Sequence, residues 1–127
     1  MVRKVAMTFG IIYTAVAILG FLPFLGGTFG MDSSNLLGFI PINLLHNLVH
    51  LVIGLAGLAV ASSDSNSKLY CQIVGAVLVV VGLLGIVWSN FLGILPIGGI
   101  DIGLHLLSGG ILAYFGFVAP EPRRATA

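Results

Sequence analysis

Four ionisable side chains interrupt otherwise apolar stretches of this chain, and their types and spacing are those of metal or cofactor ligands. His46 and His50 fall in HNLVH, and Asp101 and His105 fall in DIGLH, so each pair is spaced i, i+4. On a helix that spacing places both members on one face. Together they offer three imidazoles and a carboxylate, a donor set suited to zinc or a similar transition metal. His50 and His105 alone could instead be axial ligands of a haem or a chlorophyll held between helices. In that case Gly54 and Gly109, each one turn beyond a histidine, would admit the edge of the flat ring. The third reading is structural, with the imidazoles hydrogen-bonding to carbonyls or hydroxyls of neighbouring helices.

The two ligand pairs are related by an internal repeat. NLLGFIPI at residues 35–42 returns as NFLGILPI at residues 90–97, an offset of 55 with five of eight positions identical. At the same offset His50 falls on His105, Leu51 on Leu106, Gly54 on Gly109, and His46 on Asp101. A repeat of this kind fixes the architecture before any local detail is considered.

The elements that carry the repeat are hydrophobic spans. The chain has 127 residues, of which 58% are hydrophobic and 7% charged, whereas soluble domains carry about a quarter charged residues. Uncharged stretches cover residues 5–25, 44–61, 69–88 and 102–119. Each is close to the ~20 residues that cross a bilayer as a helix, the form that satisfies the backbone in lipid. The expected fold is an all-α polytopic membrane protein with four transmembrane helices in two tandem helical hairpins. Residues 1–127 form one domain: repeat one at 1–61, a polar linker SSDSNSK at 62–68, repeat two at 69–119 and a tail at 120–127. A hairpin has an even number of spans, so both copies insert the same way up, as parallel repeats about the membrane normal.

Arg3 and Lys4 precede the first span as in a signal peptide. The apolar run is too long for an h-region, however, and bulky residues occupy 21–24, so the helix is expected to be retained. All five basic residues (Arg3, Lys4, Lys68, Arg123 and Arg124) fall on one side of a four-span topology. The positive-inside rule makes that side cytoplasmic. The localisation expected is the bacterial cytoplasmic membrane, with both termini inside.

The apolar loops LLGFIPI and FLGILPI are expected to lie as short interfacial segments capping the bundle. Asn43 would then cap the second helix, with Gly98 at the start of the fourth. Small residues at four-residue spacing, including Ala6, Gly10, Thr14, Gly57, Ala61, Gly99 and Gly103, predict close helix packing. Cys71 is alone, which excludes an internal disulfide. A net charge of +1 without a basic run argues against nucleic acid. No GxSxG, phosphate loop or catalytic carboxylate pair is present, and Ser108 beside His105 lacks an orienting third group, so an enzyme is not expected.

With GIIYTAVAILGFLP in the first span, HNLVHLVIGLAGL in the second and DIGLHLLSGGILA in the fourth, the chain resembles a family of small bacterial four-helix membrane proteins. That family is catalogued as a domain of unknown function, of the DUF4383 type. The resemblance covers nearly the whole chain and implies the four-helix architecture without an activity. Its characteristic marks correspond to His46, His50, Asp101 and His105. The expected function is therefore that of a small structural or accessory membrane protein, in the lipid bilayer within a larger complex or homo-oligomer. The alternative is a metal-, haem- or chlorophyll-binding protein that uses the histidines.

The charge distribution makes a topology test possible. A reporter fused to the C-terminus should be active only in the cytoplasm, and one inserted at Thr28 only outside. A periplasmic C-terminus would overturn both the span count and the orientation.

Overall fold

The computed structural model describes residues 1–120; Arg123, Arg124 and nearly all of the 120–127 tail lie outside the described residues. Helix α1 spans Val2–Gly20 and is followed by a 3-10 turn at Pro23–Leu25 and by strands β1 (Ser34–Leu36) and β2 (Ile40–Ile42). Helices α2 (Leu44–Val60) and α3 (Asp64–Val87) come next, then strands β3 (Asn90–Phe91) and β4 (Leu95–Pro96). Helix α4 (Ile100–Ala113) runs into a π-helical turn at Tyr114–Val118. Three helical segments, Val2–Gly20, Asp64–Val87 and Ile100–Val118, are long and apolar enough to cross a membrane. The fourth, α2, is an apolar helix of 17 residues, at the short end of the range for a span.

Helix ends differ from expectation for local reasons. The first helix stops at Gly20, five residues early, because Pro23 forces Leu22 out of helical geometry (φ −91°, ψ 107°). The third begins at Asp64, inside the polar segment expected as a linker. Ser63 accepts a hydrogen bond from the Asn66 amide, and Asp64 sits in the first turn, where a negative charge complements the helix dipole. Ser67 turns inward from that segment, is fully buried, and donates to the Val60 carbonyl.

The apolar loops, expected as short interfacial segments, are two small antiparallel hairpins. Asn35 pairs with Pro41 in the first and Asn90 with Pro96 in the second, so the repeat extends to strand register. It extends to backbone angle as well: Leu37 and Leu92 have φ of 55° and 54°, each followed by a left-handed glycine. A leucine in this region costs about 1–2 kcal/mol. Both leucines are exposed, consistent with apolar tips placed in a membrane interface.

The closest helix packing is within the hairpins α1/α2 and α3/α4. Lipid is as apolar as leucine, so helices associate by backbone approach and polar contacts. Gly57 lies against the Ala6 carbonyl and Gly10 Cα, and a Cβ there would sit 2.8–2.9 Å from them. In the second hairpin a Cβ on Gly109 would lie 2.7 Å from the Val79 amide nitrogen. Gly99 and Gly103 make no such approach: an added Cβ at either would meet nothing within 4 Å, so this pair of the expected packing spacing serves no helix contact. A small core of Ala6, Tyr13, Tyr70, Cys71, Leu78 and Leu112 lies between the hairpins. Large side chains such as Ile11, Val52, Val80 and Leu107 are turned outward. At the end holding the N-terminus, Arg3 Nε donates to the Ala61 carbonyl at 2.8 Å and closes the first hairpin.

Gly57→Val and Gly109→Val should each destabilise the detergent-solubilised protein by about 1–3 kcal/mol, the usual cost of overpacking. Gly103→Ala, placed in open space within α4, should leave the thermal unfolding midpoint unchanged or raise it slightly. Equal midpoints for all three would show that the close approaches do not hold the hairpins together.

Candidate metal centre

The site begins with the way α2 is started. Asn43 is extended (φ −151°), and its side-chain oxygen accepts from the His46 amide at 2.9 Å, the N-cap expected from the sequence. Its Nδ2 donates to the Met31 carbonyl (3.1 Å) and to the Ile94 carbonyl (2.7 Å), the latter in the second β-hairpin. One turn on, Asn47 Nδ2 donates to the carbonyls of Gly20 (2.6 Å) and Thr28 (3.2 Å). The first turn of α2 is thereby tied to the end of α1, the first loop and the second repeat, and His46 and His50 are set in depth and rotation.

All four sequence-identified side chains come together. His46, His50, Asp101 and His105 are 2–5% exposed, and one ring nitrogen from each histidine lies within 4.8 Å of the other two. His46 Nε2 and His50 Nε2 are 3.1 Å apart. Two nitrogens bound to one zinc at ~2.0–2.1 Å in tetrahedral geometry are separated by about 3.3 Å. The three rings form a triangle, with centroid separations of 4.4 Å (His46–His50) and 5.8 Å from each of these to His105.

Hydrogen bonds settle part of the protonation pattern. His105 Nδ1 lies 2.8 Å from the backbone carbonyl of Asp101. A carbonyl can only accept, so Nδ1 carries the proton and the lone pair His105 can offer is on Nε2. The Asp101 carboxylate oxygen Oδ2 stands 3.3 Å from the same Nδ1 and 3.9 Å from His46 Nε2. A carboxylate and a carbonyl behind the far nitrogen of an imidazole is the arrangement that orients histidine ligands of metals. Among the described residues, His46 Nδ1 and His50 Nδ1 are buried without a hydrogen-bond partner, and Asp101 Oδ2 is buried with only the approaches of the two ring nitrogens. Unpaired buried polar atoms are rare, and an ion is among the causes of such clusters.

The flat-ring reading meets a different geometry. A Cβ on Gly54 would run into Thr14 of α1, and one on Gly109 would run into Leu78 and Val79 of α3. Both glycines are consumed by helix contact, so neither opens a slot for a ring edge. The third imidazole, His46, also crowds the pair that would have to clamp an iron. All three rings face inward, whereas a pigment held on the bundle surface would need them turned to lipid.

Residues 3–118 match the family described as a domain of unknown function, DUF4383, and the chain belongs to it. No curated protein and no solved structure is detectably similar to the chain.

Two supporting contributions were not evident from the sequence. Tyr13 of α1 stands edge-on to His50 with ring centroids 5.1 Å apart, and its hydroxyl hydrogen-bonds to Ser108 Oγ at 2.7 Å. Asn47 carries no motif, and only its position one residue after His46 hinted at a role. Asn43→Ala removes a helix cap and two bonds between loops, and should destabilise the protein by about 1 kcal/mol or more. Thermal unfolding in detergent measures this; an unchanged midpoint would show that the start of α2 is held by other contacts.

Proposed function

We propose that this DUF4383 chain is a small integral protein of the bacterial cytoplasmic membrane that binds one zinc-class transition metal ion through His46, His50 and His105. In this reading all four helices span the bilayer as two parallel repeats, and both termini face the cytoplasm. Asp101 orients His105 or supplies a fourth donor.

The observation that carries the reading is the convergence of three imidazole nitrogens within 4.8 Å, beside a buried carboxylate oxygen 3.3 Å from His105 Nδ1. An ionisable group in a membrane interior is costly unless paired or bound to a metal. Imidazole and carboxylate together suit zinc and its neighbours better than soft thiophilic ions. Two of the ligands come from α2 and the third from α4, so a bound ion ties the two hairpins to each other. A tie of that kind suits a structural or accessory role, alone or within a larger membrane assembly, and no catalysis is assigned to the site.

The test is the metal content of detergent-purified protein carrying a tag without histidine, after exposure to zinc or cobalt(II). About one ion per chain is expected, with a visible cobalt spectrum of tetrahedral type. His50→Ala and His105→Ala should bring the content to background, and Asp101→Asn should weaken binding by about 10–100-fold. Metal content at background in the folded wild-type protein would overturn the proposal. A Soret band lost in His50→Ala would overturn it in favour of haem.

A further inference from the structure

A cavity of about 330 Å³ lies between α1 and α4. Phe9, Tyr13 and Val16 of α1 line one wall, and Leu104, Leu107 and Ile111 of α4 line the other. Leu107 is 64% exposed, with Leu104 and Ile111 exposed beside it, so the mouth opens on the apolar outer surface of the helices. It does so because α1 and α4 touch at few points. The Tyr13–Ser108 hydrogen bond is one of the links across the gap.

We infer that this cavity holds one acyl chain of a bilayer phospholipid, slotted between α1 and α4 from the leaflet nearest the β-hairpins. The inference rests on the reading that the helices span a bilayer, and it is independent of the metal. Three observations select a hydrocarbon chain. The first is that the polar groups of the lining are engaged or enclosed by the protein. Ser108 Oγ donates to the Leu104 carbonyl at 2.6 Å and bonds to the Tyr13 hydroxyl at 2.7 Å. His105 Nδ1 donates to the Asp101 carbonyl, and His50 and Asp101 are 5% and 2% exposed. A ligand that carried oxygens inside would give up its hydration without gaining a partner, a cost that a methylene chain does not meet.

The second observation concerns the head group. No lysine or arginine lines the cavity, so an anionic head is not held there and stays outside, in the membrane surface. The third is depth. Leu104 and Ile111 lie four and eleven residues beyond the start of α4 at Ile100, hence about 6 and 17 Å along the helix. On α1, Val16 and Phe9 lie four and eleven residues before its end at Gly20, so the two walls match in level. One leaflet of a hydrocarbon core ~30 Å thick covers that range. An apolar space of this kind does not hold water, and a chain filling it restores dispersion contacts that an empty gap forfeits. The seated chain also covers the sides of His50 and His105 that line the cavity.

The experiment places the full chain in nanodiscs containing a phospholipid with a diazirine at mid-chain, and maps the photolabelled residues by mass spectrometry. Phe9 and Tyr13, which are half-buried and buried, should be labelled at least as strongly as Val80, an outward residue at comparable depth on α3. Leu107→Trp and Ile111→Trp each obstruct the mouth. Each should lower labelling of Phe9 and Tyr13 relative to Val80 by about tenfold, the effect of losing about two buried methylenes. His46 does not line the cavity, so His46→Ala should abolish metal binding and leave the labelling intact. Labelled Val80 beside unlabelled Phe9 and Tyr13 would overturn the inference, as would labelling that both folded tryptophan variants leave unchanged. Labelling by a diazirine fatty acid but not by the phospholipid would overturn it in favour of a free fatty acid. Release of the chain from membranes by alkaline carbonate would instead overturn the membrane reading itself.

Discussion

A polar atom that leaves water for an apolar helical interior must find its partner inside the protein, and this constraint organises the described structure. Asn43 and Asn47 direct their amides at loop carbonyls and at the end of α1. Tyr70 donates across to the Ile53 carbonyl, and Gln72 to that of Gly116. Each bond crosses between elements, so the polar groups that are expensive to bury also determine how the elements are arranged. Among the described residues such pairing is incomplete chiefly in the histidine cluster, and also at Thr14 Oγ1.

Close packing makes that arrangement possible. Glycines at the α1/α2 and α3/α4 contacts bring backbone against backbone within each hairpin, and imidazoles on α2 and α4 meet between the two hairpins. The bulky side chains are displaced outward, to the exposed face of the helices. A water-soluble bundle places its large apolar residues inside and its small polar ones outside; here small and polar residues share the interior with a small apolar core. The usual signal of a hydrophobic core is therefore weak, and much of the interior is marked by glycine, asparagine and histidine.

Much of this was legible because the interior residues recur at helical spacing. HNLVH and DIGLH each defined one face, and the repeat at offset 55 located matched positions in two hairpins. The Asn43 cap followed from a polar residue standing just before an apolar run. The β-hairpins were not legible, since a left-handed backbone is ordinarily signalled by glycine or asparagine and here begins at Leu37 and Leu92. The start of α3 was hidden for the opposite reason: SSDSNSK has a linker's composition, yet its serines act as a cap and as a buried donor. Gly54 and Gly109 could serve a flat ligand or a neighbouring helix equally well, and only the positions of Thr14, Leu78 and Val79 decide which. The Tyr13–Ser108 bond joins residues 95 apart and left no local trace.

The repeat is faithful in strand register and turn geometry but departs from symmetry where His46 is answered by Asp101. Two identical hairpins placed about a two-fold axis would present either four histidines or two histidines and two carboxylates. The present chain instead holds an unequal set that neither half contains. In one polypeptide each half can carry a residue that, in a homodimer, would appear twice around the axis. The asymmetry gives the centre a direction, with a carboxylate on one side only, and binds the two halves into a unit that cannot be exchanged for a homodimer of either.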